Sequence, residues 1–298
     1  MSINMGVLFW NDPLKQLIPV GIVSLLLIPA IMIRRAFQSG PQYQYFRTRQ
    51  SGPKFYQSRN FWIGAGCVGS LGTVYYVNHL ETVPISNRVR FMNTSRRQEV
   101  AMGRSAYQEI MHQYGHRILP SSHPTSQFVI KVARKLIAAA GMNHIDWEIH
   151  VINDPSLNAF VLPGGKVFVF TGILPIVKDA DGMAAVLGHE MAHQIARHSA
   201  EKFTWLKVLM ASNFFISIFF DPGPLIRSLV INYGVLMPFS RSCESEADHI
   251  GLLLMAQACY NPEAAISMWE RMGRAQKDAP NEYLSTHPNN RTSNSRRD

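Results

Sequence analysis

The chain has 298 residues, 47% of them hydrophobic, which is enough for a buried core in one large or two small domains. The formal net charge of +9 is unevenly distributed: residues 13 to 80 hold seven basic and no acidic residues, whereas the 218 residues from Glu81 onward hold 22 basic and 19 acidic ones. The basic excess thus belongs to a region that also contains the longest apolar runs. This pattern indicates membrane topology and argues against a nucleic-acid-binding surface.

Two apolar runs lie in this N-terminal region. Residues 17–33 form a run of seventeen residues with two prolines, and both a short transmembrane segment and a targeting segment remain open for it. Residues 61–80 are uncharged and have aromatic residues at both ends. Their length and the preceding arginine predict a transmembrane helix, with a buried glycine-rich core helix as the alternative. The predicted organisation is an apolar run with a basic linker (1–60), a transmembrane helix (61–80) and a folded domain (81–298).

The folded domain is predicted to be mostly helical with a small sheet, an α+β fold. Apolar residues recur at helical spacing over 95–115 and 125–141, with Ser95 as a possible cap and Gly141 as a stop. Residues 147–152 alternate as a strand does, and apolar strands on both sides of Pro163-Gly164-Gly165 predict a hairpin. Further helices are predicted at 179–203, at about 241–258 and after Pro262.

The stretch HEMAH, residues 189–193, suggests the chemistry of the domain. On a helix, the side chains of His189 and His193 lie one above the other, and Glu190 lies about 100° around the axis. Zinc hydrolases use two such imidazoles as ligands and the adjacent glutamate as the general base for the attacking water. We therefore predict one Zn²⁺ per chain, held by His189 and His193, with Glu190 as the base.

A third protein ligand is needed. The extended motif HExxHxxGxxH is absent, because Ala196 and Ser199 occupy the positions of its glycine and last histidine. On a continuous helix His198 would lie about 140° from His193, so we expect it at the surface or behind the ligands.

The segment SRSCESEAD, residues 240–248, offers the missing ligand. Glu244 and Asp248 are four residues apart, so both can face the first helix. Glu244 is predicted as the third ligand and Asp248 as the acceptor of a hydrogen bond from a ligand histidine. Glu246 is predicted to face away. The alternative is an acidic, solvated helix start.

Two further features are candidates for binding substrate. His287, in LSTHP, is predicted to donate a hydrogen bond to the oxyanion, with a polar turn residue before Pro288 as the alternative. Residues 158–165 form a candidate edge strand, whose Asn158, Ala159 and Phe160 would bind an extended polypeptide by strand addition. The alternative is that this strand only covers the core.

Together, NAFVLPGG, HEMAH, SRSCESEAD and LSTHP resemble the membrane-associated zinc metallopeptidases that include the HtpX and CAAX prenyl protease families. YYVNHLETVPISNRVRF, WEIHVINDP and ADHIGLLLMAQACYNPEAAISMWERM are more similar to the mitochondrial inner-membrane members, whose activity overlaps with the m-AAA protease. The resemblance implies a mostly helical, zincin-like metallopeptidase domain behind a membrane anchor at 61–80. By motif match it also implies that His189, His193 and Glu244 are the ligands and that Glu190 is the base.

The same resemblance implies ATP-independent cleavage of inner-membrane proteins in quality control, and stress-triggered processing of a dynamin-like fusion GTPase. It implies a lipid bilayer and polypeptide substrates as partners, no nucleic acid, and a catalytic domain in the intermembrane space. Homo-oligomerisation is a weaker expectation, because the glycines at 64, 66, 69 and 72 lack GxxxG spacing.

One departure keeps other hypotheses open. The family usually has an arginine six residues after the THP histidine, where this chain has Ser293. A proteolytically inactive membrane scaffold or substrate-binding protein that retains the fold is therefore the alternative function. A soluble cytosolic protease is a third hypothesis.

Overall fold

The structure is a computed structural model that describes residues 55–219 and 237–275. The apolar run 17–33 and the predicted site residue His287 lie outside the described residues. The helices of the described parts are α1 (Arg59–Asn78), α2 (Arg96–Tyr114), α3 (Pro124–Ala139), α4 (Leu174–Val177), α5 (Ala180–Ile195), α6 (His198–Phe219), α7 (Met237–Gln257) and α8 (Ala264–Ala275). The strands are β1 (Leu80–Thr82), β2 (Val89–Phe91), β3 (Glu148–Ile152), β4 (Ala159–Leu162) and β5 (Lys166–Phe170). The α+β class is therefore confirmed.

The chain divides into two compact units. One contains α1 and the antiparallel hairpin of β1 and β2. In this unit the ring of Tyr76, near the end of α1, stacks on Phe91 of β2 with centroids 5.2 Å apart. The second unit contains residues 84–86, residues 94–210 and the described residues from 237 onward.

Helix α1 lies where residues 61–80 were predicted to cross a membrane. None of its residues is buried, so the alternative of a core helix is not supported. Across residues 55–219 and 237–275, no helix is both long and apolar enough to pass through a bilayer. In α1 itself, four glycines and two tyrosines dilute the apolar content.

The first helices of the second unit agree with the sequence pattern. Ser95 caps α2 in a capping box with Gln98, which satisfies backbone donors at the helix start. Helix α3 ends just before Gly141, whose φ of 64° is in the left-handed region that favours glycine. Both predicted helices are confirmed.

The main sheet has three strands in the order β3-β5-β4. The hairpin of β4 and β5 is antiparallel, as predicted, and Gly164 and Gly165 at its turn have φ values of 95° and 85°. Strand β3 pairs with β5 in parallel. Consequently β4 lies at one edge of the sheet and packs against α5.

The single helix predicted at 179–203 is wrong. Helix α5 ends at Ile195, and α6 begins at His198. Between them Arg197 adopts a φ of 54°, which an α-helix does not allow. The apolar periodicity continues through this break, so the sequence pattern does not reveal it.

Helices α5 and α7 approach each other closely. A Cβ atom built on Gly251 of α7 would lie 3.0 Å from the His189 backbone nitrogen and 3.1 Å from the Gly188 carbonyl carbon. Glycine at this crossing lets the two backbones come together, which places residues of α7 beside HEMAH.

Candidate metal centre

Three predicted ligands meet where α5 and α7 cross. The Nε2 atoms of His189 and His193 are 3.1 Å apart, and the Glu244 carboxylate oxygens lie 3.3 Å from His189 Nε2 and 3.7 Å from His193 Nε2. One ligand atom from each residue lies within 4.8 Å of the others. The helical spacing of four residues places the histidines, and the glycine crossing brings Glu244 to them.

Asp248 contacts the ring nitrogen of His189 that does not face the other candidate ligands. Its Oδ1 lies 3.0 Å from His189 Nδ1, so the ring can present Nε2 to a metal ion. Burial lowers the pKa of His189, but hydrogen bonds to Asp248 and Glu244 outweigh it and raise that pKa to about 10. The carboxylates therefore favour positive charge at this position.

The donor set fits zinc. Two imidazole nitrogens and one carboxylate are the protein ligands of a common catalytic zinc site, which leaves a fourth position for water or substrate. Trp269 of α8 closes one side, with its ring edge-on to His189 at 5.4 Å between centroids. Of the three candidate ligands, His189 and Glu244 are buried and His193 is partly exposed.

Glu190 lies beside this cluster. Its side chain is 3% exposed, and its charge contributes to the raised pKa of His189. A buried carboxylate next to the ligands is suitably placed for a base, a role that remains a prediction.

Of two residues behind the candidate ligands, Glu246 departs from its prediction and His198 agrees with one of its alternatives. Glu246 was predicted to face away, but it is buried and its Oε2 lies 2.8 Å from His198 Nε2. His198 in turn lies 2.8 Å from His193 through the two Nδ1 atoms. The prediction for Glu246 is wrong because α7 is enclosed by the protein on more than the side that faces α5. His198 is behind the ligands, one of its two expected positions.

The residues predicted to bind substrate lie at the start of β4, with Asn158 just before it. Asn158 and Ala159 are buried, and the Asn158 carbonyl accepts a hydrogen bond from the Phe170 backbone. The ring of Phe160 packs on Phe168, with centroids 5.3 Å apart. Among the described strands β4 pairs with β5 alone, so one edge of β4 faces no other strand.

Comparison with known proteins identifies the family. Residues 124–294, more than half of the chain, match peptidase family M48. The chain belongs to this family. It is 48% identical over 248 residues to the mitochondrial metalloendopeptidase OMA1 of Schizosaccharomyces pombe, which covers 83% of this chain and 73% of that protein.

Two other relatives carry the same name. The Saccharomyces cerevisiae protein is 38% identical over 280 residues, covering 85% of this chain and 79% of the relative. The human protein is 32% identical over 308 residues, covering 94% of this chain and 58% of the relative. These matches confirm the predicted metalloendopeptidase class and agree with a mitochondrial location and polypeptide substrates.

Proposed function

We propose that the chain is a zinc endopeptidase in which His189, His193 and Glu244 hold the metal ion and Glu190 is the general base. The observation that carries this proposal is the convergence of the three ligand groups from two separate helices. Family membership supports the reaction class, and the donor set supports zinc.

The residues divide the chemical work between them. A zinc ion held by His189, His193 and Glu244 would supply Lewis acidity, to activate water and polarise the scissile carbonyl. Glu190 accepts the proton of the attacking water and returns it to the leaving amine nitrogen, so the peptide bond is cleaved without a net proton change. His287, from the part of the chain outside the described residues, is proposed to donate to the oxyanion.

The substrate is proposed to bind along β4 as an added strand. Of Asn158, Ala159 and Phe160, Ala159 would offer its main-chain groups to an extended polypeptide, because the Asn158 carbonyl already accepts from Phe170 of β5 and alternate residues of a strand direct these groups to opposite sides. The packing of β4 against α5 would hold the scissile bond near the metal ligands. Binding through main-chain groups suits a peptidase that cleaves unfolded segments of different sequence.

We further propose a place in the mitochondrial inner membrane, with the catalytic domain in the intermembrane space. The names of the relatives support mitochondria, and the sequence resemblance supports the inner membrane. Exposed apolar side chains on α1 are proposed to attach the chain to the bilayer; they include Trp62, Ile63, Val68, Leu71 and Val74. ATP-independent quality control and processing of a dynamin-like fusion GTPase complete the proposal, on the resemblance alone.

Metal content and cleavage of an unfolded protein such as casein test the peptidase function. We expect Glu190→Gln to keep its zinc and lose activity by at least about 100-fold, because the amide is not a base. Glu244→Ala should lose both zinc and activity. Wild-type protein without zinc, or a Glu190→Gln variant as active as wild type, would contradict the proposal and favour the inactive scaffold.

Membrane attachment has a separate test. We expect the protein to remain with mitochondrial membranes in high salt, and carbonate extraction to distinguish a spanning α1 from one that lies on the surface. Replacing Trp62 and Ile63 with Ser should weaken retention without changing casein cleavage. Complete release of wild-type protein by salt would support the third hypothesis, a soluble protease.

A further inference from the structure

Hydrogen bonds link His193 to His198 and His198 to Glu246, on the side of His193 away from its candidate ligand atom. His198 Nδ1 lies 2.8 Å from His193 Nδ1, and His198 Nε2 lies 2.8 Å from Glu246 Oε2. The Ser86 hydroxyl donates to the other Glu246 oxygen. His198 is 5% exposed and Glu246 is 3% exposed, so water has little access to either group.

Only one arrangement of donors and acceptors in these hydrogen bonds is compatible with a metal ion bound to His193. If His193 binds through Nε2, its proton is on Nδ1, and His193 then donates to His198 Nδ1. His198 must therefore carry its own proton on Nε2, which donates to Glu246. A His198 ring with the opposite tautomer would place two N–H groups against each other.

The break between α5 and α6 allows the rings of His193 and His198 to come into contact. On a continuous helix His198 would be about 140° from His193. Instead, the positive φ of Arg197 redirects the chain and brings the two rings together. The Arg197 guanidinium donates to Glu99 at 2.8 Å and to the Thr94 carbonyl at 3.1 Å, and these buried contacts hold the break.

We propose that His198 and Glu246 are positioning residues that hold His193 in the tautomer with Nδ1 protonated, which metal binding requires. Asp248 does this for His189 by direct contact, whereas Glu246 acts on His193 through a second imidazole. The inference rests on the proposed zinc site and adds two residues to it. Removing such partners of a ligand histidine typically weakens metal affinity by about 10- to 100-fold.

The test uses the full chain and zinc alone. The double variant His198→Phe/Glu246→Leu removes both of these hydrogen bonds. We expect its zinc affinity, measured by competition with a chromophoric chelator, to fall by about 10- to 100-fold. Glu246→Gln should stay within about threefold of wild type, because its amide oxygen still accepts from His198.

A matched control is His150→Phe/Glu148→Leu, which removes a histidine–carboxylate pair on β3, with 3.3 Å between the groups. We expect this control to bind zinc as wild type does. In zinc-loaded wild type, ¹⁵N spectra of the histidine rings should show the proton of His193 on Nδ1 and that of His198 on Nε2.

The outcomes separate this inference from the proposed function. A folded double variant with wild-type zinc affinity would overturn the positioning role and leave the zinc site intact. If that variant does not fold, ¹⁵N spectra of wild type that place the His198 proton on Nδ1 would overturn it instead. Wild-type protein that binds no zinc would overturn both.

Discussion

Asp248 contacts the Nδ1 atom of one metal-ligand candidate, His189, from a side chain that is itself half exposed. Replacing Asp248 with Asn keeps an acceptor but removes the negative charge that favours a cation here. We expect zinc affinity to fall by about 10-fold, and further in Asp248→Ala, which has no acceptor. Chelator competition measures both. Equal affinity in wild type and Asp248→Ala would show that the contact does not orient His189.

Asp154 stabilises the loop that leads from β3 to β4. Two hydrogen bonds from Ser156 and an ion pair with Arg117 at 2.7 Å lower its pKa below the ordinary value of 3.8. A lowered pKa in the folded state means that the stabilisation is present above pH 3.8 and is lost as pH falls through the lower folded pKa.

The substitution Asp154→Asn is therefore predicted to reduce the free energy of unfolding by about 2 kcal/mol at pH 7. The difference from wild type should shrink below about pH 3.8, where the unfolded carboxyl is protonated. Urea unfolding at pH 7 and pH 3 measures both values. A difference that grows as pH falls would contradict this assignment.

The residues of the candidate site differ in how far the sequence predicts them. The shared face of His189 and His193 follows from helical spacing, and Glu190 follows from the HExxH motif. The third ligand that zinc requires makes Glu244 a candidate, without excluding an acidic helix start. The burial of Glu246 could not be predicted in this way. Residue spacing on α7 shows that Glu246 points away from α5, but it does not show which other parts of the protein cover it.

At the scale of elements, the crossing of α5 and α7 determines the distance between the histidines and Glu244. A Cβ atom on Gly251 would already lie 3.0 Å from the backbone nitrogen of His189, so the larger side chain of Gly251→Val must push the two helices apart. We expect zinc affinity to fall more than 10-fold and the free energy of unfolding to fall by about 1–3 kcal/mol.

Gly273 of α8 provides the matched control, because a Cβ atom there meets nothing within 4 Å. Gly273→Ala should leave zinc affinity unchanged and raise the free energy of unfolding by up to about 1 kcal/mol through helix propensity. If Gly251→Val bound zinc as Gly273→Ala does, close helix approach would not be required for the site.

Local signals explain which elements the sequence predicts. The Ser95 cap, the stop at Gly141 and the hairpin at Gly164 and Gly165 are all encoded within a few residues. The parallel pairing of β3 with β5 is a contact between segments distant in sequence, which periodicity does not contain. The break at Arg197 depends on Glu99 and Thr94 from another helix and its leading turn.

For the whole molecule, metal binding and folding stability are expected to be coupled, because the ligands come together only in the folded chain. Removing zinc with a chelator should lower the melting temperature of wild-type protein. Glu244→Ala, which lacks one ligand, should melt at the same temperature with and without chelator. Differential scanning calorimetry measures this, and an equal chelator effect on both proteins would indicate a metal site elsewhere.

Glu244 follows His193 by about fifty residues, and a metal ion held between them would join two distant parts of the chain as a covalent cross-link does. Closing a loop of that length restricts the unfolded chain, and the entropy that the chain loses grows with the logarithm of the loop length. Any nascent chain that ends before Glu244 lacks a ligand and therefore cannot assemble the complete centre. During synthesis, hydrolytic activity is thus expected to appear only after α7 has emerged, which protects nearby polypeptides from a partly made peptidase.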